Sequence, residues 1–329
     1  MTADMTSVRI VEEGPREGFQ IEAATIPTHH KIELIEALAE TGLKKIQVAS
    51  FVNPKKVPGW ADADAVVQGL TPRPGVSYFP LWLNQRGLER ALAHRDKLTL
   101  SGTIRVGASE PFMMRNQGTD FRTNLEMQAV QLAEFEKQGI PVTAIGIMAA
   151  FGCNYQGDIP VSRVLEAVRQ GLELAQQHGV QPEEVRLSDT MAWATPDRIK
   201  RCVGAVQDAY PQLLVHLHLH DTRGMAIANA MAGLEMGVRS FDSSVAGLGG
   251  CPFAGHAGAA GNICTEDLVF LCEEIGMETG VDLDRLIEAA LLAERIIGRP
   301  LPGSVMHGGS LRRFRQPPLQ TTAAMSAST

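Results

Sequence analysis

Glu12-Glu13-Gly14-Pro15-Arg16-Glu17-Gly18 follows the first short apolar run of the chain, and its reading decides between two folds. A doubly wound open sheet usually carries a glycine-rich phosphate turn, G-x-G-x-x-G, at this place. This stretch lacks that spacing. Gly14-Pro15 reads instead as a breaker that ends the strand and throws Arg16 and Glu17 into the loop above the sheet. Seven further β-rich runs follow the first, at 44–50, 76–82, 97–105, 141–148, 184–188, 213–220 and 240–245, several of them nearly all apolar as in strands buried on both faces. Amphipathic stretches alternate with them. At 28–39, Ile32, Ile35, Leu38 and Ala39 share one face and Gly42 stops the pattern. Helical patterns recur at 124–137, 162–177, 196–209 and 225–236. Ser162 and Thr195 are the expected N-caps, and Pro196 suits a first helical position. The sequence therefore predicts an α/β protein, a (β/α)8 TIM barrel with additional C-terminal helices at 266–275 and 283–297. Residues 1–298 form the expected single catalytic domain. Residues 299–329, rich in Pro, Gly, Ser and Ala, form an expected poorly ordered tail.

The composition bounds the function. Of 329 residues, 44% are hydrophobic and 20% charged, enough for one large core. The formal net charge of −7, with no basic stripe, points to a small-molecule enzyme and away from nucleic acid. No apolar run is long enough to span a membrane, and the first residues lack the pattern of a secretory signal. The five cysteines have no paired spacing, so a reducing, cytoplasmic setting is expected. Glycine is in excess: 32 residues against an average near 7%.

The richest chemistry lies in His216-Leu217-His218-Leu219-His220-Asp221. Alternate residues of a strand share a face, so the three imidazoles point the same way. His218 and His220 fall near the C-terminal strand end, the catalytic face of a barrel. They are candidate metal ligands. His216, the deepest, reads as structural. Imidazole suits Zn, Fe, Ni or Co, and mixed oxygen ligation admits Mg or Mn. Glu17 can complete such a site, and Arg16 beside it can hold an enolate or carboxylate oxygen. The alternative for this pair is a surface ion pair after a turn. Asp189, ending the sixth strand in Arg186-Leu187-Ser188-Asp189-Thr190, can orient a base or bind substrate, or cap a turn. The segment 247–261 holds Gly247, Gly249, Gly250, Gly255, Gly258 and Gly261. It reads as a lid carrying Cys251, a candidate acid or nucleophile. The bland readings are a flexible connector and an inert thiol.

Taken in order, GPREGFQ, ASFVNPKKVP, CNYQGDI, SDT, HLHD, SSVAGLGGCPFA and GN resemble the 3-hydroxy-3-methylglutaryl-CoA lyase family over about residues 8–297. AGLGGCP with a following GN distinguishes the lyases from related Claisen-type synthases. The resemblance implies retro-Claisen cleavage of a 3-hydroxy-3-substituted acyl-CoA in a homodimer or larger homo-oligomer. It implies a divalent cation, Mg or Mn first and Co, Zn, Ni or Fe as alternatives, on Glu17, His218, His220 and Asn262. It places Arg16, Asp189, His218 and Cys251 in catalysis and Gln20 and Gln47 beside the substrate. Lys55 and Lys56 are candidate CoA-phosphate partners. Three positions depart from the family pattern. Glu17 stands where Asp is usual, Gln47 where Glu is usual, and the segment from Cys251 to Asn262, with His256 in it, is longer. These departures cluster on one site and suggest an altered substrate; the candidates are 3-hydroxy-3-methylglutaryl-CoA itself, cleaved to acetyl-CoA and acetoacetate, citramalyl-CoA, or a CoA ester with a larger C3 substituent. A condensing synthase and a non-catalytic descendant are the rival classes.

Overall fold

A computed structural model describes residues 6–22, 26–250 and 261–315. Cys251 and His256 lie outside the described residues, as does the tail beyond 315. Eight parallel strands run β1 Arg9–Glu12, β2 Lys45–Ser50, β3 Ser77–Leu81, β4 Gly102–Gly107, β5 Val142–Met148, β6 Glu184–Ser188, β7 Leu214–His218 and β8 Ser240–Ser243. They pair in the cyclic order β3-β2-β1-β8-β7-β6-β5-β4, which is the order of a (β/α)8 barrel. The remaining seam, between β3 and β4, is bridged by the Thr99 N–H donating to the Tyr78 carbonyl at 2.7 Å. Pro80 in β3 has no N–H to give a ladder, which suits a seam strand.

The predicted helices at 28–39, 196–209 and 283–297 fall where expected, as Thr28–Ala39, Pro196–Ala209 and Leu283–Ile297. Thr195 accepts from the Arg198 N–H and caps its helix, with Pro196 in the first turn. Ser162 is not a cap: that helix begins at Val161 behind Pro160, without a side-chain cap. Residues 299–315 were assigned by composition to the tail. They dock on the barrel, burying Leu301, Met306 and Ser310. Arg312 and Arg315 pair with Glu273 and Glu274 at 2.6 and 2.7 Å.

The largest difference concerns the opening stretch. Gly14–Ile21 is an eight-residue helix with Pro15 in its first turn, not a loop. A proline there gives up only an N–H that the helix start could not use. Gly14 is required by space: a Cβ on it would sit 2.5 Å from Glu12 Oε1 and 2.9 Å from the Val245 nitrogen. The buried Glu12 carboxylate accepts from the Gly14 N–H at 2.7 Å, the Val245 N–H at 2.9 Å and the Thr265 hydroxyl at 2.5 Å. It staples the end of β1 to the segments after β8, so the helix that carries Arg16 and Glu17 starts from a fixed point. Burial still pushes the Glu12 carboxyl up to about 7 against these bonds.

Candidate active site

The C-terminal strand ends open into a cavity of about 370 Å³. Its wall includes Arg16, Glu17, Gln20, Gln47, His218 and His220, and Gly250, the residue before Cys251. Strand alternation puts His216 and His218 on the inner face of β7, as predicted. His220, just past the strand, is held by a bridge to Asn262. Ligand atoms of Glu17, His218 and His220 all lie within 4.8 Å of one another. The sequence separation of Glu17 and Asn262 vanishes in the fold, where the Asn262 amide N–H donates to Glu17 Oε2 at 2.6 Å.

Each imidazole is oriented by its Nδ1. In His220 this atom donates to the Asp189 carbonyl at 2.8 Å. In His218 it lies 3.1 Å from Asp242 Oδ2 and 3.7 Å from Glu13 Oε2. Both rings thereby turn Nε2 toward Glu17, the arrangement by which a carboxylate or carbonyl behind a histidine sets its tautomer for a metal. Asn262 Oδ1 is buried without a hydrogen-bond partner. A buried amide oxygen left unpaired beside a carboxylate and two imidazoles fits a divalent cation, and the mixed oxygen and nitrogen set admits Mg or Mn. Glu13, His218 and Asp242 form a second cluster of ligand type. Its carboxylates face the Nδ1 side of His218, so they serve as orienters there.

The electrostatics follow from burial and pairing. Burial pulls His220 down to about 4, helped by the charge of His218. Burial would lower His218 too, but the Asp242 carboxylate bonded to it raises it to about 9. Burial lifts Glu13 to about 7, with the Asp242 charge adding to it. Glu17 is held below its usual range: against burial, Arg16 stands 2.8 Å away and the two imidazoles add positive potential. A bound cation would favour the neutral imidazoles and ionised Glu17 that ligation needs. His216 is fully buried between Ser240 Oγ at 2.6 Å and Asp242 Oδ1 at 2.8 Å. It supports Asp242 from beneath and is structural, as its depth predicted.

The other predicted residues divide. Arg16 reaches Glu13 at 3.2 Å and donates through Nε to Gln47, so Gln47 positions the arginine. Gln20 lines the cavity with its Oε1 buried and unpartnered. Asp189 is buried behind the wall. Its Oδ1 accepts from the Trp193 and Ala194 N–H groups at 2.7 and 3.0 Å, while its Oδ2 has no partner. Burial raises it to about 7. The turn-capping reading is therefore real, and the Asp189 carbonyl also orients His220. Lys55 and Lys56 are exposed on the loop after β2 and do not join the cavity wall. Glu13 and Asp242 went unremarked in the sequence. Their signal was an acidic residue on a short strand or directly at its end, Asp242 within β8 and Glu13 just past β1.

Fold and ligand cluster together define a TIM barrel with a candidate divalent-cation site at its C-terminal rim. A family model described as HMGL-like matches residues 7–292, and the chain belongs to that family. The mitochondrial hydroxymethylglutaryl-CoA lyase of Gallus gallus is 39% identical over 281 residues, covering 85% of this chain and 90% of that protein. The hydroxymethylglutaryl-CoA lyase YngG of Bacillus subtilis is 36% identical over 295 residues, covering 90% and 95%. Among solved structures, an HMG-CoA lyase from Acinetobacter baumannii in complex with coenzyme A and 3-methylmalate superposes with a TM-score of 0.83. It is 33% identical, covering 97% of this chain and all of that one.

Proposed function

We propose that the protein is a divalent-metal-dependent carbon–carbon lyase that cleaves a 3-hydroxy-3-substituted acyl-CoA, such as 3-hydroxy-3-methylglutaryl-CoA, into an acyl-CoA and a keto acid. The observation that carries this reading is the convergence of Glu17, His218 and His220 beside the unpaired Asn262 oxygen, next to Arg16 in one cavity. A divalent cation held there supplies Lewis acidity and a template for the substrate oxygens. The C3 hydroxyl loses its proton, the C2–C3 bond breaks, and its electron pair becomes the enolate of the departing acyl-CoA. His218 would hold the ion through Nε2 while its Nδ1 lies against Asp242, which leaves Asp189, with its unpartnered Oδ2, as the proton acceptor. Arg16 meets the enolate oxygen with charge-assisted hydrogen bonds. Cys251 returns a proton to C2. Lys55 and Lys56, exposed on the loop after β2 and outside the cavity wall, are the candidate partners of the CoA phosphates.

Cytoplasmic location is supported by the cysteines: Cys153, Cys202, Cys264 and Cys272 are buried and free. Among the described residues no helix is long and apolar enough to cross a membrane. A homodimer or larger assembly follows from the family resemblance. Release of acyl-CoA from 3-hydroxy-3-methylglutaryl-CoA, citramalyl-CoA and larger C3-substituted thioesters, with Mg or Mn, tests the activity. Metal-dependent cleavage of at least one is expected, and inertness toward all would refute it. Cys251→Ser is expected to slow turnover by about two orders of magnitude or more while Mn binding survives. Near-normal turnover would remove Cys251 from the mechanism.

A further inference from the structure

The interior of this barrel is not the branched aliphatic packing usual for the fold. Below the His218 level, β4, β5 and β6 place Arg105, Gly146 and Arg186 in one register row. The two arginines are therefore two strand spacings apart, about 10 Å at Cα. Gly146 between them contributes no side chain, so space opens between the guanidinium groups. Lys45 of β2 lies over the Phe79 ring at 5.1 Å and lines the same cavity. Among the described residues the side chains of Arg105 and Lys45 make no hydrogen bond or ion pair. Arg186 gives only its Nε, to Glu184 Oε1 at 2.7 Å, and Glu184 is shared with Arg9.

The carboxylates near these cations are already taken. Glu13 serves Arg16, and Asp242 lies against His216 and His218. Mutual repulsion and loss of water therefore act on the three cations together. Arg105 is lowered to about 10 and Lys45 to about 8, by burial first and then by Arg186. Half-burying the unpaired Arg105 and Lys45 beside Arg186 costs free energy that a binding anion recovers.

We propose that Arg105, Arg186 and Lys45 form an anion subsite on the cavity floor. It takes a carboxylate on C3 of the acyl chain, so the preferred substrate is a 3-hydroxyglutaryl-type thioester bearing a C3 carboxylate in place of methyl. This deepens the lyase reading and rests on it for the reaction, not for the binding. The neutral Gln47, where the family pattern has a glutamate, keeps an opposing charge out of the same cavity. Cleavage stays balanced. The hydroxyl proton goes to Asp189, the C2–C3 pair to C2, and a proton from Cys251 to C2. The products are acetyl-CoA and a 2-oxo dicarboxylate.

Two measurements separate the subsite from the reaction. In EDTA-treated protein, calorimetric titration should show tricarballylate binding at least about tenfold tighter than glutarate. Arg105→Gln should reduce that ratio to within about threefold. Lys45→Met, checked for native circular dichroism, repeats the test should Arg105→Gln fail to fold. With Mn present, kcat/KM for 3-carboxy-3-hydroxyglutaryl-CoA over that for 3-hydroxy-3-methylglutaryl-CoA should exceed one, and should drop at least about tenfold in the variant. Equal binding of the two acids, an unchanged ratio in the variants, or a preference for the methyl thioester overturns the subsite. Cleavage of neither thioester overturns the lyase reading, while the titration still decides the subsite.

Discussion

At the scale of single residues, Asp189 shows how one residue holds two positions at once, through its backbone carbonyl and its carboxylate. Its carbonyl fixes His220, its Oδ1 closes a turn, and only Oδ2 remains for chemistry. Burial lifts its pKa to about 7, so the proton-accepting form gains population as pH rises through that value. In its role as base, kcat/KM should rise toward a plateau above about pH 7. Asp189→Asn should lose about two to four orders of magnitude and should lose the acidic limb of the profile. A variant that keeps both the limb and near-normal rates would show Asp189 to be structural only. The sequence exposed this residue through its place at the end of β6, where barrel enzymes put their chemistry. It could not separate the carbonyl's role from the carboxylate's, because the partner of each is set by tertiary contact. Glu13 and Asp242 stayed hidden for the same reason: a strand pattern marks a residue as inward, but not which imidazole it faces.

At the scale of elements, the eight strands and most longer helices were legible, whereas the short helices Ala63–Gly69, Gln85–Leu92 and Glu110–Gln117 and the junctions were not. The β6 run and the helix Pro196–Ala209 match their predicted bounds because periodicity and caps agree there. Gly14–Ile21 was misread because Gly-Pro usually breaks structure, whereas Pro15 here occupies the first turn of a helix anchored by Glu12. The opposite end of the site has a similar anchor. Buried Glu266, in the first turn of the helix Thr265–Glu274, accepts from the Ala246 N–H at 3.0 Å. Burial raises its pKa to about 7 from 4.5. The folded state thus binds the proton more tightly than the unfolded chain. The wild type loses this contribution as pH rises from about 4.5 through 7, by up to roughly 3 kcal/mol. Glu266→Gln cannot ionise. Urea unfolding should therefore find the variant's stability relative to wild type improving from pH 5 to pH 8. A difference constant with pH would remove Glu266 from the linkage. Close approach at the other junction is just as demanding. A Cβ on Gly261 would lie 2.3 Å from the Leu248 carbonyl oxygen, so Gly261→Ala should displace Asn262 and weaken Mn binding by about tenfold or more in calorimetry.

At the scale of the whole molecule, the candidate cation site is where the first and last units of the barrel meet. Glu17 rides on the helix after β1, His218 and His220 on the end of β7, and Asn262 on the segment after β8. The Asn262–Glu17 hydrogen bond joins positions 245 residues apart. Barrel closure brings these groups together, which is why motif order in the sequence could name them as candidate ligands while their distances required the fold. A ligand bound only by the folded chain stabilises it by mass action, by about 2.7 kcal/mol at a hundred times its Kd. For a chain of this size that corresponds to a rise in Tm of roughly 4 °C. Saturating Mn should therefore raise the calorimetric Tm over the EDTA-treated protein by about this amount. Glu17→Gln should lose most of the shift, because an amide in place of the carboxylate gives the cation a neutral ligand. An equal rise in the variant would mean that the stabilising ion binds elsewhere, and the clustered ligands would then be a hydrogen-bonded closure of the barrel.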